Sequence, residues 1–356
     1  MYRLFVFVVF FFSGFSLCSQ GEVQVLTLPV HAKNGGFDTT YVADYKDYLS
    51  VRGLGMQKFN NWAILRKGQN GLPDQKLELK VNEQFNFGVG FNYKWLGLNF
   101  VFKGDSEDDQ KFGKTNSFDM QLSVLPRKFM IDAFFTHYKG FYIANPTSFA
   151  SDWWTNVSNA YPKLSNTTST GLGGDFLWVF NNKKFSMQAA VVNNMKQLKS
   201  AGSWIAGGYT NYLNLRLNVD SVARSFNVRP SRAIAPDAQL KVRGMSFFNL
   251  GPEGGYAHTF VIAKDFYVSM VGTAGLGLSF KTIENDNQSL NISAVNLGTK
   301  FKFRVAAGFN GPRWYYGISG YADVFGMNTS DSYGNWRLTA GYRFQVKQPK
   351  FLNVIF

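Results

Sequence analysis

Histidine is the residue type with which a search for chemistry in this chain begins. A hydrolase or acyl transferase working near neutral pH needs a base that titrates in that range, and this is the role of histidine. The chain has three, His31, His137 and His258. Alternation along an extended strand places His137 on the face opposite Asp132, and His258 opposite Thr259. No nucleophile elbow, metal-spaced His/Cys cluster or phosphate-binding loop is present, so we expect no enzyme activity, catalytic residue, metal site or cofactor.

An acidic group is the second candidate for chemistry. Asp105, Glu107, Asp108 and Asp109 crowd one predicted outer loop, and carboxylate oxygens are the ligands that Ca²⁺ prefers. Their spacing matches no defined calcium loop. We therefore favour a solvated loop over a calcium site in residues 105–109, and both interpretations stay open at this stage.

The basic residues carry the clearest pattern. Lys300, Lys302 and Arg304 alternate with Phe301, Phe303 and Val305, and successive strand residues point to opposite faces. A cation facing lipid at mid-membrane costs about 2–4 kcal/mol, so the phenylalanines are predicted to face lipid and the cations the lumen. The same argument assigns a wider set to the lumen: Arg337, Arg343, Lys241, Arg243, Lys76 and Lys80. Fewer acids are predicted to point inward, among them Glu78, Asp119 and Asp132.

The elements that position these residues have a period of two. Phe85, Phe87, Val89 and Phe91 alternate with polar residues and glycine, which predicts a strand that is apolar on one face. The pattern recurs down the chain around short predicted turns at 94–95, 126–128, 181–184, 263–265 and 310–313. The turn at 181–184 is expected to join strands at 172–180 and 185–191.

Longer polar connections separate these hairpins. They fall at about 104–115, 139–170, 195–203, 283–291 and 325–335. Short turns alternating with long loops are typical of a transmembrane β-barrel. We predict an all-β chain forming a closed antiparallel transmembrane β-barrel of about 12–14 strands, with short periplasmic turns and long outer loops. The alternative is a secreted β-sandwich, but the aromatic residues at strand ends and the Gly- and Asn-rich opposite face weigh against it.

Composition agrees with a lipid-facing exterior. The 356 residues have a net charge of +14, yet only 17% of them are charged, against about 25% in a soluble domain. An apolar content of 45% excludes a disordered chain. Binding of nucleic acid is not expected, because no cluster of lysine and arginine is present.

The N-terminus predicts export. Arg3 precedes an apolar run, Leu4–Phe12, which is less than half of the roughly 20 residues that a membrane-spanning helix needs. Small residues follow it, as at a signal-peptide cleavage site. We therefore divide the chain into a signal peptide at 1–19, a periplasmic leader at 20–45 and a barrel domain at 46–356, and expect the barrel in the cell outer membrane.

Several short motifs, taken in order, resemble a known family. They are Gly88 to Gly97 with Tyr93, Lys94 and Trp95, then Phe112-Gly113-Lys114-Thr115 with Asp119, then Lys139-Gly140-Phe141-Tyr142, and then Gly254-Gly255-Tyr256. In this order they resemble an uncharacterised bacterial outer-membrane family, domain-of-unknown-function family 4421. The resemblance covers most of the mature chain. It implies a porin-like barrel in the outer membrane of a Gram-negative bacterium and no established activity.

Two functions follow from an inward excess of positive charge. The first expectation is a channel whose basic lumen attracts small anionic solutes, because lumen side chains tune selectivity. The alternative is a closed barrel whose inward cations pair with acids, acting as a structural, adhesin-like or envelope-complex protein. The expected partners are outer-membrane lipid, the barrel-assembly machinery during biogenesis and, for the channel, small anionic solutes.

Overall fold

The computed structural model describes residues 22–28, 36–45, 48–66, 75–83, 85–93, 96–102, 104, 108–148, 159–217, 242–285, 290–326 and 329–345. The signal peptide predicted at 1–19 lies outside this part of the chain. The described strands are β1 Glu22–Leu28, β2 Val42–Asp44, β3 Tyr48–Arg66, β4 Gln75–Lys80, β5 Phe85–Tyr93, β6 Leu96–Phe102, β7 Asn116–Val124, β8 Phe129–Ile143, β9 Lys163–Val179, β10 Met195–Gln197, β11 Ala201–Arg216, β12 Val242–Ile262, β13 Phe266–Asn285, β14 Leu290–Asn310, β15 Trp314–Phe325 and β16 Thr329–Gln345.

Fourteen of these strands form one sheet that closes on itself. Each strand from β11 to β16 pairs antiparallel with the next, and β11 also pairs with β9. The barrel closes where β16 pairs with β3 along its whole length, from Thr329 opposite Ile64 to Gln345 opposite Tyr48. The predicted fold class, a closed antiparallel transmembrane β-barrel, is confirmed.

The barrel changes in strand number along its axis. One half of β3 pairs with β4, which also pairs with β8, and this circuit contains ten antiparallel strands. The other half of β3 pairs with β5, and β6, β1 and β7 complete the sheet from there to β8. We call the end with the four-strand circuit (β5, β6, β1, β7) the turn side, and the opposite end the outer end.

The predicted leader, residues 20–45, takes part in this architecture. β1 lies between β6 and β7, antiparallel to the first and parallel to the second, and β2 pairs with β10 in a separate two-stranded sheet. An edge strand presents unpaired backbone N–H and C=O groups, and β1 supplies partners for two such edges. The leader is therefore not a separate segment.

Several predicted outer loops are shorter than expected, because the strands extend into them. β13 continues to Asn285 and β14 begins at Leu290, while β15 continues to Phe325 and β16 begins at Thr329. Likewise β8 reaches Ile143. Polar residues in these stretches sit in regular strands, where backbone pairing with a neighbouring strand outweighs the loss of hydrophobic alternation.

The strand predicted at 185–191 is wrong, and so is the outer loop predicted at 195–203. Residues Met187–Val191 form a short α-helix, α2, instead. The other α-helix in the described ranges is α1, Asp109–Phe112. Ser186 caps α2 by accepting from the N–H of Ala189 at 3.2 Å, a typical helix start. The partner of β9 is instead β11, so the connection between them, residues 180–200, lies on the turn side.

This connection folds into the barrel mouth. We call α2, β10 and β2 together the turn-side plug. Phe185, Met187 and Ala190 are buried against Leu125, Met130, Leu177 and Ile205 of the barrel wall, and Met195 packs on Val42 and Ala189. An apolar cluster thus packs the plug against one side of the lumen at this end.

A second apolar cluster fills the outer half of the lumen. Leu77 and Leu79 of β4 are buried there with Trp62, Phe134 and Leu164. The indole N–H of Trp62 donates to Ser169 Oγ at 2.9 Å, so its one polar group is satisfied inside this core. The lumen is therefore apolar at both ends, with a polar layer between them.

The outward face is apolar. Trp204 is 69% exposed, Leu297 63% and Phe87 61%, and exposed apolar surface on this scale is the side that meets lipid. Aromatic rings in contact follow the turn-side rim, including Trp204–Tyr256 and Trp314–Tyr342, as in the aromatic girdles of such barrels. None of the helices in the described ranges is long and apolar enough to cross a membrane.

Candidate functional site in the barrel lumen

The polar layer at mid-lumen is built on the inward face of β14. Lys300 and Lys302 are only 2% and 1% exposed, and Arg304 follows them on the same face. Phe301, Phe303 and Val305 point outward, and each is at least 40% exposed. Strand alternation alone therefore carries these three cations into the lumen.

Each of the three cations meets carboxylates from other strands. Lys302 Nζ lies 3.0 Å from Asp132 Oδ2 and also pairs with Asp175. Lys300 Nζ lies 3.1 Å from Glu253 Oε2 and 3.3 Å from Asp175 Oδ2. The guanidinium of Arg304 pairs with Asp132. Asp175 thus bridges both lysines, and Asp132 bridges Lys302 and Arg304.

Hydroxyl groups donate further hydrogen bonds to carboxylates of this layer. Ser123 donates to Asp132. Tyr321 and Tyr333 both donate to Asp323, the latter at 2.9 Å, and Asp323 Oδ2 lies 4.0 Å from Lys302 Nζ. We call this set the ionic layer: Lys300, Lys302, Arg304, Asp132, Asp175, Glu253 and Asp323. Its four carboxylates outnumber its three cations, so the layer offers no surplus positive charge.

Arg343 lies outside the ionic layer. It lies near the turn-side rim, where it donates to Gly311 O at 2.6 Å and to Asn310 Oδ1 at 2.7 Å. It also donates to Asn193 O of the connection that holds the plug, at 2.8 Å. Its guanidinium stacks on Tyr45 and Tyr315, 4.0 and 4.4 Å from their ring centres. Arg343 therefore ties the plug to the barrel wall.

Not every predicted lumen cation points inward. Lys76 and Lys80 lie on the outward face of β4, because Leu77 and Leu79 occupy its inward face in the outer apolar cluster. Glu78 shares the outward face and pairs with Lys76 at 2.8 Å. The assumption that leucines face lipid fails here, since the core at this height is itself apolar. Lys241 and the side chain of Arg243 lie outside the described residues. Arg337 lines a cavity between the ionic layer and the turn-side plug.

Residues of two family motifs, Gly113 and Thr115 of one and Gly140 of the other, lie close together near the outer end. The hydroxyl of Thr115 donates to Gly140 O at 2.8 Å and accepts from the N–H of Asn82 at 2.9 Å. The Asn82 amide donates to Gly113 O at 2.8 Å. Two motifs that are separate in sequence thus meet, and they fasten the junction of β4 and β5 to β7 and β8.

The remaining motif residues are spread along the barrel. Phe141 is buried in the outer apolar cluster, and Tyr142 packs against Phe112, 4.9 Å between ring centres. Asp119 accepts from the Tyr138 hydroxyl at 3.0 Å and lies 3.8 Å from Lys58 Nζ. Lys114 and Lys139 are exposed, and Tyr93 ends β5. Lys94 and Trp95 are outside the described residues.

The two described histidines, His137 and His258, are not brought together with acids. His137 lies on the outward face, where its Nδ1 is 2.9 Å from Thr170 Oγ1. His258 packs between Tyr256 and Phe260, with ring centres 6.0 and 4.1 Å away. His31 lies outside the described residues. In the part of the chain that is described, no group of three or more His, Cys, Asp or Glu side chains is placed to hold a metal ion.

The described acids of residues 105–109 have structural partners. Asp108 caps α1 by accepting from the N–H groups of Gln110 and Lys111, at 2.8 and 2.9 Å. Asp109 accepts from the Asn82 amide at 3.0 Å. Asp105 and Glu107 are outside the described residues, so a calcium site at 105–109 remains untested.

Sequence reasoning missed Asp175, Glu253 and Asp323. A signal for them existed, since Asp175 alternates with Phe176 and Asp323 with Val324 in strands whose other face is apolar. What the sequence lacks is the register between strands that brings Lys302 of β14 to Asp175 of β9.

The fold and the paired ionic layer define a closed transmembrane β-barrel with a filled lumen. The sequence matches the domain of unknown function DUF4421 over residues 37–344, and the chain belongs to that family. No curated protein sequence matches it.

Solved structures with a similar fold are outer-membrane proteins. The outer membrane protease OmpT of Escherichia coli is 9% identical, with a TM-score of 0.35, covering 85% of this chain and 98% of its own. The translocator domain of the autotransporter NalP of Neisseria meningitidis is 12% identical, with a TM-score of 0.32 and coverages of 87% and 91%. The COG4313 outer membrane channel of Pseudomonas putida F1 is 7% identical, with a TM-score of 0.29 and coverages of 83% and 100%.

Proposed function

We propose that this protein is a closed β-barrel of the bacterial outer membrane that acts as a structural or interaction protein of the envelope. The observation that carries the proposal is the pairing of Lys300, Lys302 and Arg304 with Asp132, Asp175 and Glu253. Cations paired in this way leave no net positive charge along the lumen to attract anions from solution. The proposal therefore takes the second of the two functions expected from the sequence.

The apolar clusters support the same conclusion. A diffusion channel needs a continuous polar path, whereas the outer cluster and the turn-side plug place buried leucine, phenylalanine and methionine side chains across the lumen. The role of the lumen side chains is then to stabilise the barrel. Partners of the protein would bind at its two rims, on the turn side and at the outer end.

Planar-bilayer conductance of the refolded chain tests the proposal. The wild type is expected to insert, with the heat-dependent gel shift of a folded barrel, and to give no steady conductance. Replacing residues 185–198 with a Gly-Ser linker removes most of the plug and is expected to raise the frequency of opening events. A steady anion-selective conductance in the wild type would overturn the proposal and restore the channel.

A further inference from the structure

A polar cavity lies between the ionic layer and the turn-side plug. Its volume is about 60 Å³, and about 10–15 Å³ by this measure accommodates one water molecule. Ala190, Val191 and Val192 line it on the plug side, and β7, β13, β14, β15 and β16 supply the rest of its wall. The cavity therefore has room for a small polyatomic ion.

Two arginines face this cavity, Arg304 and Arg337. They are placed by register, because Arg304 lies opposite Tyr321 and Arg337 lies opposite Ser319 on the intervening strand β15. Two strand spacings separate them, about 10 Å, a distance that two long side chains span easily. Asn335 and Ser319 line the cavity beside them.

Both guanidinium groups have hydrogen-bonding capacity to spare. Arg304 gives its terminal nitrogen to Asp132, but its Nε is buried with no hydrogen-bond partner in the described structure, and the same holds for Arg337 Nε. A buried donor without a partner is destabilising, because it has lost its hydrogen bonds to water. Both unused donors thus belong to residues lining one cavity.

The charge around Arg337 also lacks compensation. Among the described residues, no carboxylate lies within ion-pair distance of Arg337. A desolvated cation in this setting is stabilised by an anion that accepts hydrogen bonds from it.

We propose that this cavity binds a small inorganic oxyanion of the phosphate or sulfate class, held by Arg304 and Arg337 with Asn335 and Ser319 as further donors. The planar guanidinium fork matches the geometry of such an oxyanion. The bound ion bridges β14 and β16 and neutralises the cationic pocket beneath the ionic layer. This site goes beyond the proposed function, which assigns no ligand.

Phosphate titration of the refolded full chain in detergent micelles tests the site. At constant ionic strength set with sodium chloride, the thermal midpoint of the wild type is expected to rise with phosphate and to saturate. Arg337→Met is expected to unfold no earlier than the wild type without phosphate, because it removes an uncompensated charge, and to lose the response. Arg313→Met, at the exposed 311–313 turn, is the matched control and is expected to keep it.

Other outcomes decide against the site or support it. A rise that never saturates, or that is equal in Arg337→Met and the wild type, reflects a general salt effect and overturns the proposal. If Arg337→Met does not refold, Asn335→Ala and Arg337→Lys are titrated instead, and loss or weakening of the response supports the site. Equilibrium dialysis with radiolabelled phosphate should give one ion per wild-type chain, and no retained phosphate overturns the proposal. Each result is independent of conductance, so the site and the closed barrel fail separately.

Discussion

Lys302 of β14 and Asp175 of β9 are 127 residues apart in the chain and form a buried ion pair across the lumen. Both side chains are nearly inaccessible, at 1% and 2% exposed. Four strand pairings, β14–β13, β13–β12, β12–β11 and β11–β9, separate them along the wall. The pair can form only when all four pairings are in register, so its presence indicates that the intervening wall has assembled correctly.

Lys302→Met should destabilise the barrel strongly. Removing one partner of a buried ion pair leaves uncompensated charge and costs about 3–5 kcal/mol. The matched control is Lys76→Met, which breaks the Lys76–Glu78 pair on the outward face, where such a pair contributes at most about 1 kcal/mol. Urea unfolding in micelles measures both, and equal effects would contradict a buried ionic layer.

Leu79→Ala tests whether the outer half of the lumen is filled. Leu79 is fully buried in the outer apolar cluster, so truncation should cost about 2–5 kcal/mol through lost contacts and a cavity. In a water-filled lumen the same change would have little effect. Leu278→Ala, at an outward position that is 47% exposed, removes the same atoms from the lipid face and should cost less. Urea midpoints compared at equal slope give the answer.

Gly140→Ala tests the junction of the two family motifs. Gly140 has φ of +93°, and an added Cβ would lie 2.2 Å from the carbonyl oxygen of Lys114. Backbone strain of this kind costs about 1–3 kcal/mol, and the contact with a fixed carbonyl adds to it. Gly254→Ala is the control, because its nearest neighbour would be 3.6 Å away. Similar refolding yields and midpoints for the two variants would count against the junction.

Arg343→Met should loosen the turn-side plug. The change removes three hydrogen bonds to Gly311, Asn193 and Asn310, and bonds from a charged donor contribute about 1.5–3 kcal/mol each. We expect faster proteolysis within residues 180–200 and more frequent conductance events than in the wild type. Arg313→Met again serves as the exposed control. Unchanged proteolysis in Arg343→Met would show that the plug is held by its apolar contacts alone.

Much of the barrel is predictable from the alternation of apolar and polar residues, and the positions where that prediction fails have a physical explanation. Phe301, Phe303 and Val305 face outward as predicted, because cations and aromatic residues separate cleanly on β14. On β4 the same rule fails, because Leu77 and Leu79 pack inside an apolar part of the lumen that no local sequence pattern predicts.

The helix of the plug and the ion pairs within the ionic layer could not be predicted from the sequence, for a related reason. Met187–Val191 is apolar and short, and such a segment reads equally as a strand or a buried helix. The pairing of Lys302 with Asp175 depends on the register of several strands, and register is a property of the assembled sheet.

The seam between β16 and β3 has a consequence for how the molecule is made. Its pairs join residues from Tyr48–Ile64 to residues from Thr329–Gln345, so they are among the most distant contacts along the chain. Contacts of such long sequence separation carry a loop-closure cost before they contribute any stability. Translation must therefore deliver β16 before β3, the first long strand, can pair along its second edge. A nascent chain arrested after β15 would expose two unpaired strand edges, which can pair with other chains and aggregate. Addition of β16, the last seventeen described residues, pairs both edges and closes the barrel.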